Sequence, residues 1–177
     1  NVMFVMICLG LNQGMQPSAG YNYGARKYSR VKDVYKRTAI LATLVTVIGF
    51  LITELFPRAT VGIFTSDAEL LEMSSNGIRI MNIMLPIVGF QIVSSNLFQS
   101  LGMVKKSIIL SLSRQLLFLL PCLYFLPMGF DAKGIWMSYP VADGIASLVT
   151  IVLLSRLLKK FRMLNDGDDP SILGSSI

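Results

Sequence analysis

Five stretches of about twenty mostly apolar residues run through the chain, and the charged residues collect in the short segments between them. A bilayer core is about 30 Å thick and an α-helix rises about 1.5 Å per residue, so runs of this length and character predict helices that cross a membrane. They fall at approximately 1–19, 38–56, 79–101, 107–127 and 135–155. With 53% hydrophobic and 15% charged residues among 177, and a mean hydropathy of +0.62, the chain is too apolar for an ordinary soluble domain. The fold class expected is an all-α membrane protein of about five transmembrane helices.

The charges between the runs test that assignment. The first connection carries Arg26, Lys27, Arg30, Lys32, Lys36 and Arg37, whereas the second carries Arg58, Asp67, Glu69, Glu72 and, at its edge, Arg79. Connections rich in Lys and Arg stay on the cytoplasmic side. Alternating from there, Lys105, Lys106 and Arg114 fall inside, Lys133 outside, and Arg156, Lys159, Lys160 and Arg162 inside, which puts thirteen of sixteen basic residues on one side. One helix more or fewer would scramble that agreement. The expectation is a multi-pass protein of the inner (plasma) membrane with its basic loops and C-terminus in the cytoplasm. The net charge of +6 then reads as orientation rather than nucleic-acid binding, which needs Lys and Arg among exposed aromatics on a water-facing patch.

Shorter elements complete the map. In KYSRVKDVYKR, 27–37, Tyr28, Val31 and Tyr35 share one helical face among basic residues, the pattern of an interfacial helix on the inner leaflet. Thr65 or Ser66 is placed to cap a short external helix with acidic residues in its first turns. Trp136, Tyr124 and Phe125 sit where an interfacial aromatic belt would, and Glu54 where an interfacial charge would. Residues 1–162 form one unit on this reading, and 163–177, polar and punctuated by Gly and Pro, are expected to be a disordered cytoplasmic tail.

Other classes lack support. Asn1 leads straight into an apolar run without initiator Met, basic leader or cleavage site, so the opening reads as a start cut from something longer and not as a signal peptide. Cys8 and Cys122 both lie in apolar stretches and there is no His, which argues against a disulfide framework and a Cys/His metal site. No nucleophile–base pair, phosphate loop or metal-ligand cluster has usable spacing, so neither an enzyme nor a bound cofactor is expected.

Polar side chains inside the spans carry the functional signal, because an unpaired polar group in lipid costs several kcal/mol and must face protein or a water-filled cavity. In the first span Asn12, Gln13 and Gln16 crowd one turn ahead of Pro17, whose ring excludes the hydrogen bond to the carbonyl of Gln13. Gly10, Gly14, Gly20 and Gly24 around them either permit close helix approach or mark a break. In the third span Gln91, Ser95 and Gln99 recur every four residues, a stripe that either glues helices together or walls a substrate cavity. The last span holds Asp143 about 13 Å deep, with Pro140 one turn before it and Ser147 and Thr150 on nearly the same face. Arg114 on the fourth span lies about 10 Å from the other surface, level enough to pair with it. The two act as a fixed ion pair between helices, as a proton or cation relay centred on Asp143, or as separate groups that snorkel to water.

The segment GLNQGMQPSAGYNYGARKYSRVKDVYKR closely resembles the one that ends the second helix of each half in the multidrug and toxic compound extrusion (MATE) family. Gly10, Gln13, Pro17, Gly20, Asn22, Tyr23, Gly24, Ala25 and Arg30 carry the likeness, with FQSLGMVKKS and GIWMSYPVAD further along. The resemblance implies a transporter of twelve helices in two six-helix lobes, of which this chain supplies helices eight to twelve, most of the C-terminal lobe. Its implied partners are the lipid bilayer, a missing N-terminal lobe and small hydrophobic or cationic substrates. The implied activity is drug export coupled to inward flow of Na⁺ or H⁺. Cation-coupled members often carry an acidic residue in the middle of the third span, where this chain has Pro86, Ile87, Val88, Gly89 and Phe90. Coupling would then rest on Asp143 or on helices outside the chain. Two other readings stand beside this one: a related exporter of lipid-linked saccharides, which calls for a more basic cavity, and a non-transporting scaffold, which has little need for polar groups at mid-membrane.

Overall fold

A computed structural model describes residues 2–169, apart from the side chains at 2 and 130–132; among these residues it is helical, with no strand. The helices are α1 (Val2–Gly24), α2 (Tyr28–Leu55), α3 (Pro57–Gly62), α4 (Ala68–Asn82), α5 (Leu85–Ser100), α6 (Val104–Gly129) and α7 (Lys133–Met163). By length and apolarity α2, α6 and α7 are each fit to span a membrane, and α4 with α5, bent by 47°, make a fourth. The first expected span, 1–19, is helical through α1, but the polar stretch from Asn12 to Gln16 keeps it out of that set.

Lipid-facing character is written on α2. Over 38–55 its buried positions are small or hydroxylic, Ala42, Thr46, Gly49 and Thr53, while Leu41, Leu44, Ile48 and Leu51 are exposed. A water-soluble helix would invert that pattern; in a membrane, close backbone contact rather than burial of large apolar groups joins helices. Accordingly α5, which packs on α1, α2, α6 and α7, approaches α2 at Gly89, where a Cβ would stand 2.7 Å from both the carbonyl oxygen of Ala42 and the hydroxyl of Thr46. Val93, Leu97 and Phe98 of α5 anchor the core with Met15, Ala42, Leu110, Leu154 and Phe161 from its neighbours.

Four expectations are corrected. The proposed interfacial helix over 27–37 is the first turns of α2, which runs unbroken into the span because no Pro interrupts 28–55. Tyr28, Val31 and Tyr35 are buried against protein, with Tyr28 stacked on Phe161 at 5.5 Å. The third span is not one helix. Pro86, second residue of α5, has no N–H to offer the carbonyl of Asn82, and the helix breaks over Ile83–Met84. The cap of α4 is Asp67 rather than Thr65 or Ser66, its carboxylate accepting from the N–H groups of Glu69 at 2.9 Å and Leu70 at 3.1 Å.

The fourth concerns the tail, whose residues 170–177 lie outside the described ones. Residues 164–169 are ordered against the α1–α2 turn. There Arg26 holds a left-handed φ of 58°, its carbonyl accepts from Gly167 N at 2.9 Å and its guanidinium pairs with Asp169 at 3.1 Å. Tyr28 donates to the carbonyl of Asp168 at 2.9 Å. Asp166 accepts from the backbone N–H of Ser29 at 3.0 Å and from its hydroxyl, so the tail supplies the cap that α2 lacks, Lys27 offering none. These bonds, the Ser29 hydroxyl first, hold the Asp166 carboxyl below its usual value.

Candidate functional site

α6 and α7 form an antiparallel hairpin, tightest where a Cβ on Gly134 would overlap the carbonyl oxygen of Leu126. The hairpin brings Arg114 and Asp143, twenty-nine residues apart, into contact: Arg114 Nε donates to Asp143 Oδ1 at 2.6 Å. Asp143 is 7% exposed, so its charge is held almost wholly by this partner. Arg114 lies in a π-helical stretch, Ser113–Leu119, inside α6. Wider turns of this kind recur at functional sites, where they re-aim side chains.

Beside the pair, α1, α5, α6 and α7 enclose a cavity of ≈ 210 Å³. Gln91, Ser95 and Asn96 of α5 form one wall, Ser111, Arg114 and Gln115 of α6 another, and Thr150 of α7 and Leu9 of α1 complete it. Arg114 is the one charged side chain among its lining residues. The volume is below the roughly 300–1,000 Å³ of drug-sized pockets, so on its own it suits water or a small ion.

Hydrogen bonds fix the walls. Gln91 Nε2 donates to the backbone carbonyl of Asp143 at 2.8 Å, joining α5 to α7 at the residue that already joins α7 to α6. Gln16 Nε2 donates to Asn96 Oδ1 at 2.8 Å, joining α1 to α5. A serine seam links α5 to α6, with Ser107 Oγ donating to the carbonyl of Ser95 at 3.0 Å and the hydroxyls of Ser95 and Ser111 at 2.9 Å. Among the described residues three buried amides keep unpartnered atoms: Oδ1 of Asn12, Oε1 of Gln91, and both polar atoms of Asn82 at the α4–α5 break.

Of the residues singled out in the sequence, Gln91, Ser95 and Arg114 line the cavity, Asp143 is held behind it by Arg114 and Gln91, and Gln16 supports its wall through Asn96. Asn12 is buried elsewhere on α1, its Nδ2 donating to the carbonyl of Cys8 at 2.7 Å. Gln13 and Gln99 point outward and are exposed, so the expected stripe bends away from the cavity after Ser95. Pro17 and Pro140 sit inside continuous helices, without the breaks that a proline invites. Gly20 is a packing glycine, a Cβ there meeting the Ser100 carbonyl oxygen at 3.2 Å, whereas Gly24 has open space around it and ends α1. Sequence reasoning missed Asn96, Ser111 and Gln115. The spacing of four between Ser107 and Ser111, opposite Ser95, is the signal that exposes the seam.

Known proteins share this fold. Residues 1–125 match the family model MatE. The solved MATE multidrug transporter DinF-BH is 37% identical with a TM-score of 0.85, over 93% of this chain and 36% of that one. An inward-facing multidrug resistance MATE family transporter is 18% identical with a TM-score of 0.83, over 93% of this chain and 38% of the other, a likeness of fold. The multidrug export protein MepA of Staphylococcus aureus (strain MSSA476) is 23% identical over 149 residues, 84% of this chain and 33% of MepA. The chain thus spans about a third of the length of these relatives. With its all-helical bundle and more than half its length matched by the family model, the chain belongs to the MatE family.

Proposed function

We propose that this chain is most of the C-terminal lobe of a transporter that exports hydrophobic and cationic drugs and toxic compounds across the cytoplasmic membrane, coupled to inward flow of H⁺ or Na⁺. The observation that carries the reading is Asp143, buried and paired with Arg114 at the edge of a polar cavity among lipid-facing helices. An ionised group at that depth is expensive and marks transport pathways. A cavity of ≈ 210 Å³ is too small for a drug, so the substrate chamber forms between this lobe and an opposing N-terminal one, and the two rock to expose it alternately. The basic end, with the α1–α2 turn and the C-terminus, faces the cytoplasm. The lobe needs no cofactor beyond the coupling ion.

The test is efflux of a fluorescent hydrophobic cation from a drug-sensitive bacterium expressing the full transporter, with and without a Na⁺ gradient, for the wild type and Asp143→Asn. Export by the wild type, lost in Asp143→Asn at equal membrane abundance, is the expected result; the response to Na⁺ separates the ions. A second reading rests on Arg114 being the charged group of the cavity wall: export of an anionic, lipid-linked saccharide. Its pairing with Asp143 neutralises that charge and favours the drug reading. Wild type that moves no dye across a panel of such cations reverses the preference.

A further inference from the structure

The turn between α1 and α2 is closed by a residue that does not suit it. Lys27 N–H donates to the carbonyl of Asn22 at 2.8 Å and Arg26 N–H to that of Tyr23 at 3.0 Å, the paired bonds of a Schellman helix end. The position that closes such an end is left-handed and usually glycine; here Arg26 holds it, at φ 58°. A side chain is strained there, and strain of this kind persists where the surroundings make use of it. The segment after α7 makes use of it. The Arg26 carbonyl accepts from Gly167 N at 2.9 Å, and its guanidinium reaches Asp169 at 3.1 Å and the carbonyl of Gly167 at 3.4 Å. Gly167, left-handed at φ 104°, lies in a turn that Asn165 and Asp168 close on each other at 3.1 and 2.7 Å. Asp166 accepts from the Ser29 amide at 3.0 Å, and Leu164 is buried in the same core as Tyr28 and Phe161.

We propose that residues 164–169 are an acidic strap over a basic, membrane-facing turn, and that anionic lipid headgroups of the inner leaflet compete with the strap for that turn. Of the proposed function the inference uses only the cytoplasmic placement of this end. Segment 26–37 holds six basic residues and one acidic, Asp33, and the strap brings three carboxylates, Asp166, Asp168 and Asp169, so that its seating takes the local net charge from +5 to +2. Lys27, Arg30, Lys36 and Arg37 stay exposed, with no ion pair among the described residues.

Strap and lipid offer the turn the same chemistry. Each presents an anionic oxygen to the Ser29 amide, at the start of a 28-residue helix, and to the guanidinium of Arg26: a carboxylate from the strap, a phosphate from the lipid. The lipid is the competitor because the turn stands where the apolar run of α2 begins, at Thr38, which puts its cations at headgroup level. A Lys or Arg beside an acidic leaflet adds about fivefold to binding, so the bare turn is drawn to the headgroups far more strongly than the strapped one. Seated, the strap joins the end of α7 to the α1–α2 turn; displaced, it frees that turn from α7.

The experiment places the full transporter in nanodiscs of phosphatidylcholine, alone or with an equal share of phosphatidylglycerol, and follows hydrogen exchange at the Gly167 amide, whose bond to Arg26 exists only while the strap is seated. Exchange is expected to be roughly tenfold faster with phosphatidylglycerol, the loss of one hydrogen bond's protection. In the double variant Asp166→Asn, Asp169→Asn it should be fast in both lipids. Equal exchange of the wild type in the two lipids overturns the competition. Inorganic phosphate added to the phosphatidylcholine discs is expected to leave Gly167 protected; release by phosphate makes the competitor a soluble anion and overturns the leaflet assignment. Arg26→Gly separates a strap anchor from an ordinary turn residue. Glycine relieves the backbone, so a residue that only turns the chain would leave Gly167 as protected as in wild type, whereas an anchor for Asp169 gives faster exchange there in phosphatidylcholine. Labelling of Lys36→Cys from outside intact cells by a membrane-impermeant maleimide would overturn the cytoplasmic placement and the inference with it.

Discussion

Gly89→Ala isolates the contact on which the α2–α5 seam depends. The added Cβ would lie 2.7 Å from the carbonyl oxygen of Ala42 and 2.7 Å from the Thr46 hydroxyl, and the first is backbone that no rotamer change can clear. Restoring an ordinary contact needs roughly 0.5–1 Å of helix separation, and overpacking on that scale costs about 1–3 kcal/mol. Separation also stretches the bond from Thr46 Oγ1 to the carbonyl of Pro86, already 3.2 Å. Against this, Ala gains about 1 kcal/mol over Gly in a helix interior. The net expectation is a loss of about 1–2 kcal/mol, read as a lower melting midpoint of the detergent-solubilised transporter by fluorescence-detected size exclusion. Gly14→Ala is the matched control, because nothing stands within 4 Å of a Cβ there and the propensity gain is unopposed. Gly89→Ala melting at or above wild type would refute the close-approach argument.

Arg114→Met leaves a carboxylate 7% exposed without its partner and is expected to cost about 1–3 kcal/mol, less than a fully buried pair because Arg114 reaches solvent. Adding Asp143→Leu should recover most of that melting midpoint; no recovery would mean that the pair is not where the loss arises. The tail clasp is expected to open in acid. Ser29 lowers the folded-state value of Asp166, so its contribution is present above the ordinary carboxylate range and is lost as pH falls through the depressed value. Hydrogen exchange at the Ser29 amide should lose its protection there, and in Asp166→Asn the acid-dependent step should vanish. Gly134→Ala collides with the backbone at Leu126 and should unseat the α6–α7 hairpin, measured as loss of a cysteine crosslink engineered between its two helices.

Much of the fold is legible because the membrane imposes one long-wavelength rule, and apolar length reports the spans almost regardless of detail. What it does not report is local. Pro86 breaks its span while Pro17 and Pro140 leave theirs continuous, a difference that neighbouring helices decide by whether they re-satisfy the freed carbonyl. The 27–37 segment misleads for a related reason. Tyr28, Val31 and Tyr35 make a face that suits an inner leaflet or a protein groove equally, and only the presence of Phe161 and Leu164, more than a hundred residues on, selects the groove. Polar composition likewise pointed to a loose tail, yet Asp166 finds a helix terminus that its own sequence neighbourhood leaves uncapped.

The site was legible as a set of residue types at a common depth. Asp143 and Arg114 stand out because lipid makes each alone too expensive, and rise per residue puts them level. Rotation about the helix axis is the coordinate that depth omits. It is why Gln99, two turns from Gln91, faces outward, and why Asn96, beside Ser95, turns into the cavity. The π stretch from Ser113 shifts the register of α6 just at Arg114, and nothing in SRQLLFL announces it. Stability alone does not account for the pair, since apolar side chains of matched volume would hold two helices as well or better. What the pair adds is register: Asp143 ties α7 to α6 through its carboxylate and to α5 through its backbone carbonyl, so that one residue fixes how three helices meet.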